Sequence, residues 1–404
     1  MKQKLIITNL TRADRLYTAC ALYEGNTLLE VSCEPKEQKS ILGNIYVGRV
    51  KDIVKNLNAA FIEISPGHIC YYPLEEYEKY EPAIFVKKIN SPKLVQGDEV
   101  VVQVIKESMK TKPPRVTTNI NITGKYIVLT TGNTKLGISK KMTAVERERI
   151  HSMMLPLKED RFGFVVRTNA AKAEEEQIKA EFKHLKQVLL HLLETAKYRT
   201  CFSRLYEEQI GYLNYLQNIH TDSLDSVLTD DRTLYDEMSS FLNEKQRIDL
   251  EKLTFYDDPK VTLLNLYGLS SHVENALKER VWLKSGAYLV IQPTEALTVI
   301  DVNSGKSVAK KNPQEHYLKI NLEAARELAY QLRLRNISGI IVVDFIDLIE
   351  KEAKKMLMDT LRAETKADPV PVQVVDMTKL NLVELTRKKI HKSLAEQLEA
   401  KTNK

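Results

Sequence analysis

Leu297-Thr298-Val299-Ile300-Asp301-Val302-Asn303-Ser304-Gly305 is an apolar, β-branched run that ends in polar groups and then a glycine. This is the pattern of a buried strand running out into a loop. Side chains alternate along a strand, so Leu297, Val299, Asp301 and Asn303 share one face, and an acid and a carboxamide emerge together at its end. A second run of the same kind, Gly339-Ile340-Ile341-Val342-Val343-Asp344-Phe345-Ile346-Asp347, also ends in carboxylates. Between the two, Gln314 to Arg335 predicts a helix, with apolar residues at Leu318, Leu322, Ala325, Leu328 and Leu332 and a Ser338-Gly339 break after it. Strand, helix and strand of these lengths make a parallel crossover, which brings both carboxyl ends to one sheet edge. Asp301 and Asp344 then converge where open α/β sheets bind ligands. Two carboxylates and an amide oxygen suit a hard cation such as magnesium. The competing reading of an Asp after a strand is a helix N-cap, and Asp347, ahead of a helix expected from about Glu350 to Glu364, is assigned to it.

The 404 residues exceed one ordinary domain, and 43% hydrophobic residues suffice for several packed cores. A net charge of +6 permits a polyanionic partner without requiring one. Cys20, Cys33, Cys70 and Cys201 are scattered with no Cys-x-x-Cys pair, which argues against a zinc site or a disulfide framework and fits a reducing, cytoplasmic setting. The apolar run in Met1 to Thr8 is too short for a signal peptide, and no stretch of about 20 apolar residues predicts a membrane span.

Strands are expected at Lys4–Thr8, Tyr17–Tyr23 and Leu28–Ser32, too few to fold without a sheet supplied from later in the chain. Between 39 and 117 the pattern changes to the short strands Gly43–Val50, Ala59–Glu63, His68–Tyr72 and Glu99–Ile105, the signature of a small barrel, with Tyr77 to Pro92 read as a long loop. Lys106, Lys112 and Arg115 lie at its exit, placed to hold backbone phosphates. Further on, Lys125–Thr130 and Phe162–Arg167 read as strands. A helix over Glu174–Leu193 carries Ile178, Phe182, Leu185, Leu189 and Leu192 on one stripe. His184 and His191 on that helix lack an acid at metal-ligand spacing. From 218 to 278 a strand at Ser226–Leu228, a helix near Leu234–Leu242, a strand at Leu253–Tyr256 and a helix after Ser270 follow. Asp230, Asp231, Asp257 and Asp258 there are read as turn and cap residues rather than a second metal site. The tail from Lys379 turns basic at Arg387-Lys388-Lys389 and Lys392, which reads as a solvated helix or an RNA-facing one.

Trp282-Leu283-Lys284-Ser285-Gly286, Gln292-Pro293-Thr294-Glu295-Ala296-Leu297-Thr298, Asp301-Val302-Asn303-Ser304-Gly305, Asn321-Leu322-Glu323-Ala324-Ala325, Gln331-Leu332-Arg333-Leu334-Arg335 and Asp344-Phe345-Ile346-Asp347 together resemble the catalytic half of the ribonuclease E/G family. The resemblance extends over nearly the whole chain. It implies an α/β (α+β) multidomain protein: a ribonuclease-H-like subdomain in two parts (1–38 and 218–278), an OB-fold RNA-binding domain (39–117), a 5′-sensor region (118–217), and a DNase I-like α/β catalytic subdomain with a basic tail (279–404). It also implies a magnesium ion held by Asp301 and Asp344 with Asn303 assisting, and stacking of bases on Phe61 and Tyr71, where Tyr71 stands in for the usual Phe. A ring in a strand is otherwise more often core than platform. For the 5′-phosphate sensor it implies Gly124 to Val128, Arg167 and Thr168. A glycine there permits close backbone approach, and Arg167 offers a fork of donors; the alternative is that Arg167 only pairs with a neighbouring acid. Lys140 and Lys141 depart from the family's usual Arg, which keeps the charge and loses the fork.

The expected activity is therefore magnesium-dependent endonucleolytic hydrolysis of single-stranded RNA to 5′-phosphate and 3′-hydroxyl ends, in RNA processing and decay. A non-catalytic RNA-binding scaffold and a single-strand DNA nuclease are the rivals. Without the Cys pair through which relatives link subunits, a zinc-linked tetramer is not expected, whereas a homodimer is compatible with the sequence. The long scaffold tail of some relatives is not expected here.

Overall fold

The computed structural model describes residues 2–37, 40–80, 84–89, 91–108, 112–208, 211–219, 224–244, 251–307 and 312–399. It is a mixed α/β structure in two compact units, one built from the two ends of the chain (Met1–Gln38 with Thr221–Lys404) and one from its middle (Lys39–His220). The chain opens with an antiparallel meander, β1 (Gln3–Arg12), β2 (Arg15–Glu24) and β3 (Thr27–Pro35), turning at Gly25.

In the middle unit, β4 (Ile45–Val54), β5 (Ala59–Ser65), β6 (His68–Pro73), β8 (Glu99–Lys106) and β9 (Arg115–Thr117) pair in the order β4-β5-β6-β9-β8, and β8 pairs back onto β4. This closes a five-stranded barrel around Val50, Ile62, Cys70, Tyr72, Val102 and Val116. Closure pairs each of these strands on both sides, and the overhanging ends of β4 and β8 take further short strands. The Tyr77 to Pro92 segment is more ordered than the long loop expected. It holds the end of α1 (Leu74–Lys79) and a short strand, β7 (Phe85–Lys87), paired to β8. Both are too short to show a period, and the edge-on packing of Tyr77 on Phe85, with centroids 6.3 Å apart, is a tertiary contact.

The chain continues through β10 (Asn121–Thr123), β11 (Ile127–Thr130), β12 (Leu136–Ile138), α2 (Ala144–Met154) and β13 (Gly163–Val166), the strands forming one sheet in the order β10-β11-β13-β12. Across it lies α3 (Glu175–Ala196), whose stripe of Ile178, Phe182, Leu185, Leu189 and Leu192 is buried as its spacing predicts. Strand β14 (Arg204–Tyr206), which adds to β4, and α4 (Tyr212–Asn218) complete this unit.

The terminal unit resumes with β15 (Leu224–Thr229), parallel to β1, then α5 (Arg232–Glu244) and β16 (Leu253–Phe255). The opening meander thus receives the later strands it needs, in the order β16-β15-β1-β2-β3. Helices α6 (Leu263–Leu266) and α7 (Leu269–Leu277) pack on this sheet through Leu263, Leu269 and Val273. The neighbouring acids behave as turn and cap groups. Asp231 Oδ1 accepts from the Leu234 amide at 3.0 Å, Asp230 Oδ2 from the Leu263 amide at 3.0 Å, and Asp258 Oδ1 from the Lys260 amide at 2.8 Å.

The last sheet comprises β17 (Arg280–Trp282), β18 (Tyr288–Pro293), β19 (Leu297–Asn303), β20 (Gly339–Asp344), β21 (Val372–Met377) and β22 (Leu382–Arg387), in the order β17-β18-β19-β20-β22-β21. Only β19 and β20 run parallel, joined through α8 (Pro313–Leu334). Helix α8 and α9 (Lys351–Thr365) cover one face, where Ile300, Val302, Ile341, Val343, Leu328, Leu332, Leu357 and Leu361 form the core. The basic tail is not a solvated helix at its start. Val383, Leu385 and Arg387 alternate inward on β22, a period of two, and only α10 (Leu394–Leu398) follows as helix. Among the described residues no helix is long and apolar enough to cross a membrane.

Candidate active site

On β19 the buried residues are Thr298, Ile300 and Val302, so Leu297, Val299, Asp301 and Asn303 face away from the covering helices. In the parallel pairing Asp301 stands directly opposite Asp344. The crossover read from the sequence thus brings the two carboxylates side by side on the open face of the sheet. Asn303 joins them, its Nδ2 donating to Asp301 Oδ2 at 2.6 Å. Among the described residues no cation pairs with either acid. Partial burial, and then the negative charges of Asp301 and Asp347, raise the Asp344 carboxyl above its ordinary pKa.

Asp347 is not the helix cap that its position suggested. Helix α9 begins four residues later with Glu350 at its N-cap, and no side chain bonds there. Asp347 Oδ1 instead accepts from Asn381 Nδ2 at 3.0 Å, and Asn381 Oδ1 accepts from Lys354 Nζ at 2.7 Å. Tertiary partners won over the local cap.

Two supports of the site carry no role in the sequence reading. Asn321, fully buried in α8, donates to the Ile346 carbonyl at 2.7 Å and accepts from the Ile346 amide at 3.1 Å, which fixes the chain just after Asp344. The signal was available, because Asn321 falls on the same stripe as Ala324, Ala325 and Leu328, and a buried carboxamide must find partners. Gly305, at φ +57°, closes the loop after β19. A Cβ there would lie 2.4 Å from the Gly286 carbonyl oxygen, so only glycine lets this loop sit against the β17–β18 turn.

The donor set fits magnesium. Two carboxylates and a carboxamide can all present oxygen, and magnesium is usually held by one or two carboxylates with waters completing its shell. No group of three or more His, Cys, Asp or Glu gathers among the described residues, so a fully protein-built cage is not offered.

On the outside of the barrel, register aligns four of the residues singled out from the sequence. Phe61 lies opposite Tyr71, Tyr71 opposite Arg115, and Arg115 opposite Lys106. Their strand neighbours Ala60, Ile62, Cys70 and Tyr72 fill the interior, which leaves the two rings half-exposed and edge-to-face at 6.3 Å. Lys106 and Lys112 are exposed. Arg115 is partly committed, with Nη2 on Glu76 Oε1 at 2.7 Å, while its Nε and the other Glu76 oxygen are buried without a partner.

In the neighbouring sheet of the same unit Arg167 Nη1 donates to the Gly124 carbonyl at 2.6 Å, and the Thr168 hydroxyl meets that of Ser139 at 2.8 Å. Burial lowers the Arg167 pKa, and the charge of Glu181 opposes this. The Glu181 carboxylate itself accepts from the amides of Lys125, Tyr126 and Ile127 at 2.7, 2.7 and 3.0 Å. A Cβ on Gly124 would fall 2.5 Å from that carboxyl carbon. Three backbone donors of the Gly124 to Val128 segment are thus taken by an internal acid. Val128 sits between Thr123 and Val165 in the ladder.

A model of the Ribonuclease E/G family matches residues 121–390. Ribonuclease G of Haemophilus influenzae is 31% identical over 385 residues, covering 93% of this chain and 78% of that protein. Ribonuclease G of Escherichia coli is 30% identical over 397 residues, covering 96% and 80%. Ribonuclease E of a Nostoc species is 31% identical over 355 residues, 86% of this chain and 51% of its own length.

Proposed function

Because the chain belongs to the ribonuclease E/G family, we propose that it is an endoribonuclease that cuts single-stranded RNA at the Asp301–Asp344 pair. The observation that carries this reading is the register of β19 and β20, which sets two carboxylates side by side with Asn303 and, among the described residues, no neutralising cation. We further propose the finer architecture implied by the resemblance: the closed barrel as an OB-fold, the β1–β3 sheet as ribonuclease-H-like, and the last sheet as DNase I-like. Asp301 and Asp344 would hold magnesium, with Asn303 orienting the Asp301 carboxylate. When bound, the ion supplies Lewis acidity that lets water attack a phosphodiester at neutral pH and leaves a 5′ phosphate and a 3′ hydroxyl. The chain's own part is to keep two like charges together. Asn321 holds the backbone after Asp344, and Asn381 and Lys354 hold Asp347. The test is to incubate single-stranded RNA and DNA oligomers of matched sequence with and without magnesium. RNA cleavage that stops on chelation and returns with magnesium is expected. Binding without cleavage would favour a scaffold, and equal cleavage of DNA a general single-strand nuclease.

The row Phe61, Tyr71, Arg115 and Lys106 supports the barrel as the surface that grips the strand, with rings for unpaired bases and cations for phosphates. Alanine at Phe61 or Tyr71 should weaken RNA binding by about 1–3 kcal/mol in a filter or anisotropy titration. Early thermal unfolding with unchanged affinity would instead mark the ring as core.

Arg167 and Thr168 form the proposed 5′-end sensor. Since Glu181 already occupies the neighbouring amides, the side chains rather than the backbone must supply the donors. A 5′-monophosphorylated RNA should be cleaved faster than its 5′-hydroxyl twin, by about ten-fold if one charge-assisted contact is gained. Arg167→Ala should erase the difference while sparing cleavage of the hydroxyl form. Equal rates for the wild-type protein would sink the sensor and leave the nuclease standing.

A further inference from the structure

We propose that Arg280, Trp282 and Tyr288 form a nucleotide subsite on the same sheet face as Asp301 and Asp344, holding an unpaired base and its phosphate beside the cleavage position. The inference rests on the nuclease reading and extends its substrate contacts. Register carries the argument. Arg280 lies opposite Val290, Val290 opposite Asp301, and Asp301 opposite Asp344, so one row crosses four strands. In the next row Trp282 lies opposite Tyr288 and Tyr288 opposite Asn303. Residues directly opposite each other share a face, and neighbouring strands lie roughly 5 Å apart. Arg280 is therefore two strands from Asp301, roughly 10 Å.

The three side chains make one cluster. The Trp282 and Tyr288 rings are 5.1 Å apart, and the Arg280 guanidinium lies 4.5 Å from the Tyr288 centroid and 5.7 Å from that of Trp282. Trp282 is the chain's single tryptophan and is 59% exposed, although a buried position is the norm for so large an apolar ring. Arg280 is exposed and, among the described residues, bonds to no carboxylate, so its planar fork of donors is uncommitted. Arg280 and Trp282 also line a cleft of about 900 Å³, together with Lys278, Glu279 and the apolar Ala276 and Leu334. A flat ring in water and a guanidinium held against it with free donors match the requirements of a single-stranded nucleotide: a face for the base and a fork for the phosphate.

Because Trp282 is the only tryptophan, its emission reports the subsite directly. The full chain in chelator, so that nothing is cut, is titrated with a single-stranded RNA decamer of mixed sequence while anisotropy of a dye on the RNA follows total binding. The expected result is that tryptophan emission is quenched in step with binding. In magnesium, Trp282→Ala and Arg280→Ala should each raise KM by about ten-fold with kcat changed much less, and Trp282→Phe should restore most of the loss. Thermal unfolding of each variant separates a lost contact from a lost fold. RNA that binds by anisotropy with no change in emission, or variants that are stably folded with wild-type KM, would overturn the subsite while the cleavage reading stands. If the wild-type protein binds but does not cut, the nuclease reading fails by itself, and the emission result still decides whether a nucleotide sits on Trp282.

Discussion

Replacing Asp301 or Asp344 by Asn is expected to lower RNA cleavage by at least about 100-fold while RNA affinity stays within experimental error. Even the outer partners of a metal site are worth roughly 10–100-fold, and a carboxylate in direct contact should exceed that. The substitution keeps the shape of the side chain and removes one of two adjacent negative charges, so it tests charge rather than packing. The fold should tolerate it, because partial burial and then neighbouring like charges raise the Asp344 pKa, and a neutral side chain there relieves both costs. The barrel row proposed to grip RNA lies in the other unit, so the substitution does not touch it. Asn303→Ala should be milder, since a neutral group that orients Asp301 contributes less than the acid it orients. Cleavage assays on the single variants, with affinity measured in parallel, check all three. Near-normal turnover in either Asn variant would remove the pair from the mechanism.

The central crossover was legible because its signals are local and repeated. Two β-branched runs ending in acids, with a helix of regular apolar spacing between them, leave few alternatives for parallel strands. Register then followed from the pattern, since Asp301 and Asp344 terminate their runs at matching positions. The parts that were not legible depend on partners distant in sequence. Asp347 looked like a cap until Asn381 was found beside it, 34 residues away. The Glu181 carboxylate sits on the amides of 125 to 127 from a helix more than 50 residues on, and its own neighbourhood reads as an ordinary amphipathic surface. The row from Arg280 to Asp344 is invisible in sequence, because each member belongs to a different strand.

The same reasoning makes Arg387 a position where a single change should cost several kcal/mol of stability. The sequence presented it as the first cation of a basic tail, yet it is 3% exposed at the end of β22. Its Nε and Nη2 reach the two Asp368 oxygens at 2.7 and 3.2 Å, and Nη1 reaches Asn336 Oδ1 at 2.6 Å and the Ile337 carbonyl at 3.2 Å. One guanidinium thereby ties the inner strand to the turn after α8 and to the loop before β21. Removing one member of a buried pair leaves the other charge without compensation, at about 3–5 kcal/mol. Arg387→Ala and Asp368→Ala should each lose stability in that range, and the double variant should lose less than the sum, because neither charge then remains alone. Lys should not rescue position 387, since an ammonium cannot span Asp368 and Asn336 at once. Trp282 lies in the same sheet, so urea unfolding followed by its emission reads this unit alone. A loss below about 1 kcal/mol for Arg387→Ala, the value typical of a solvated pair, would mean that the bridge opens to water and that the tail reading from the sequence was the better one.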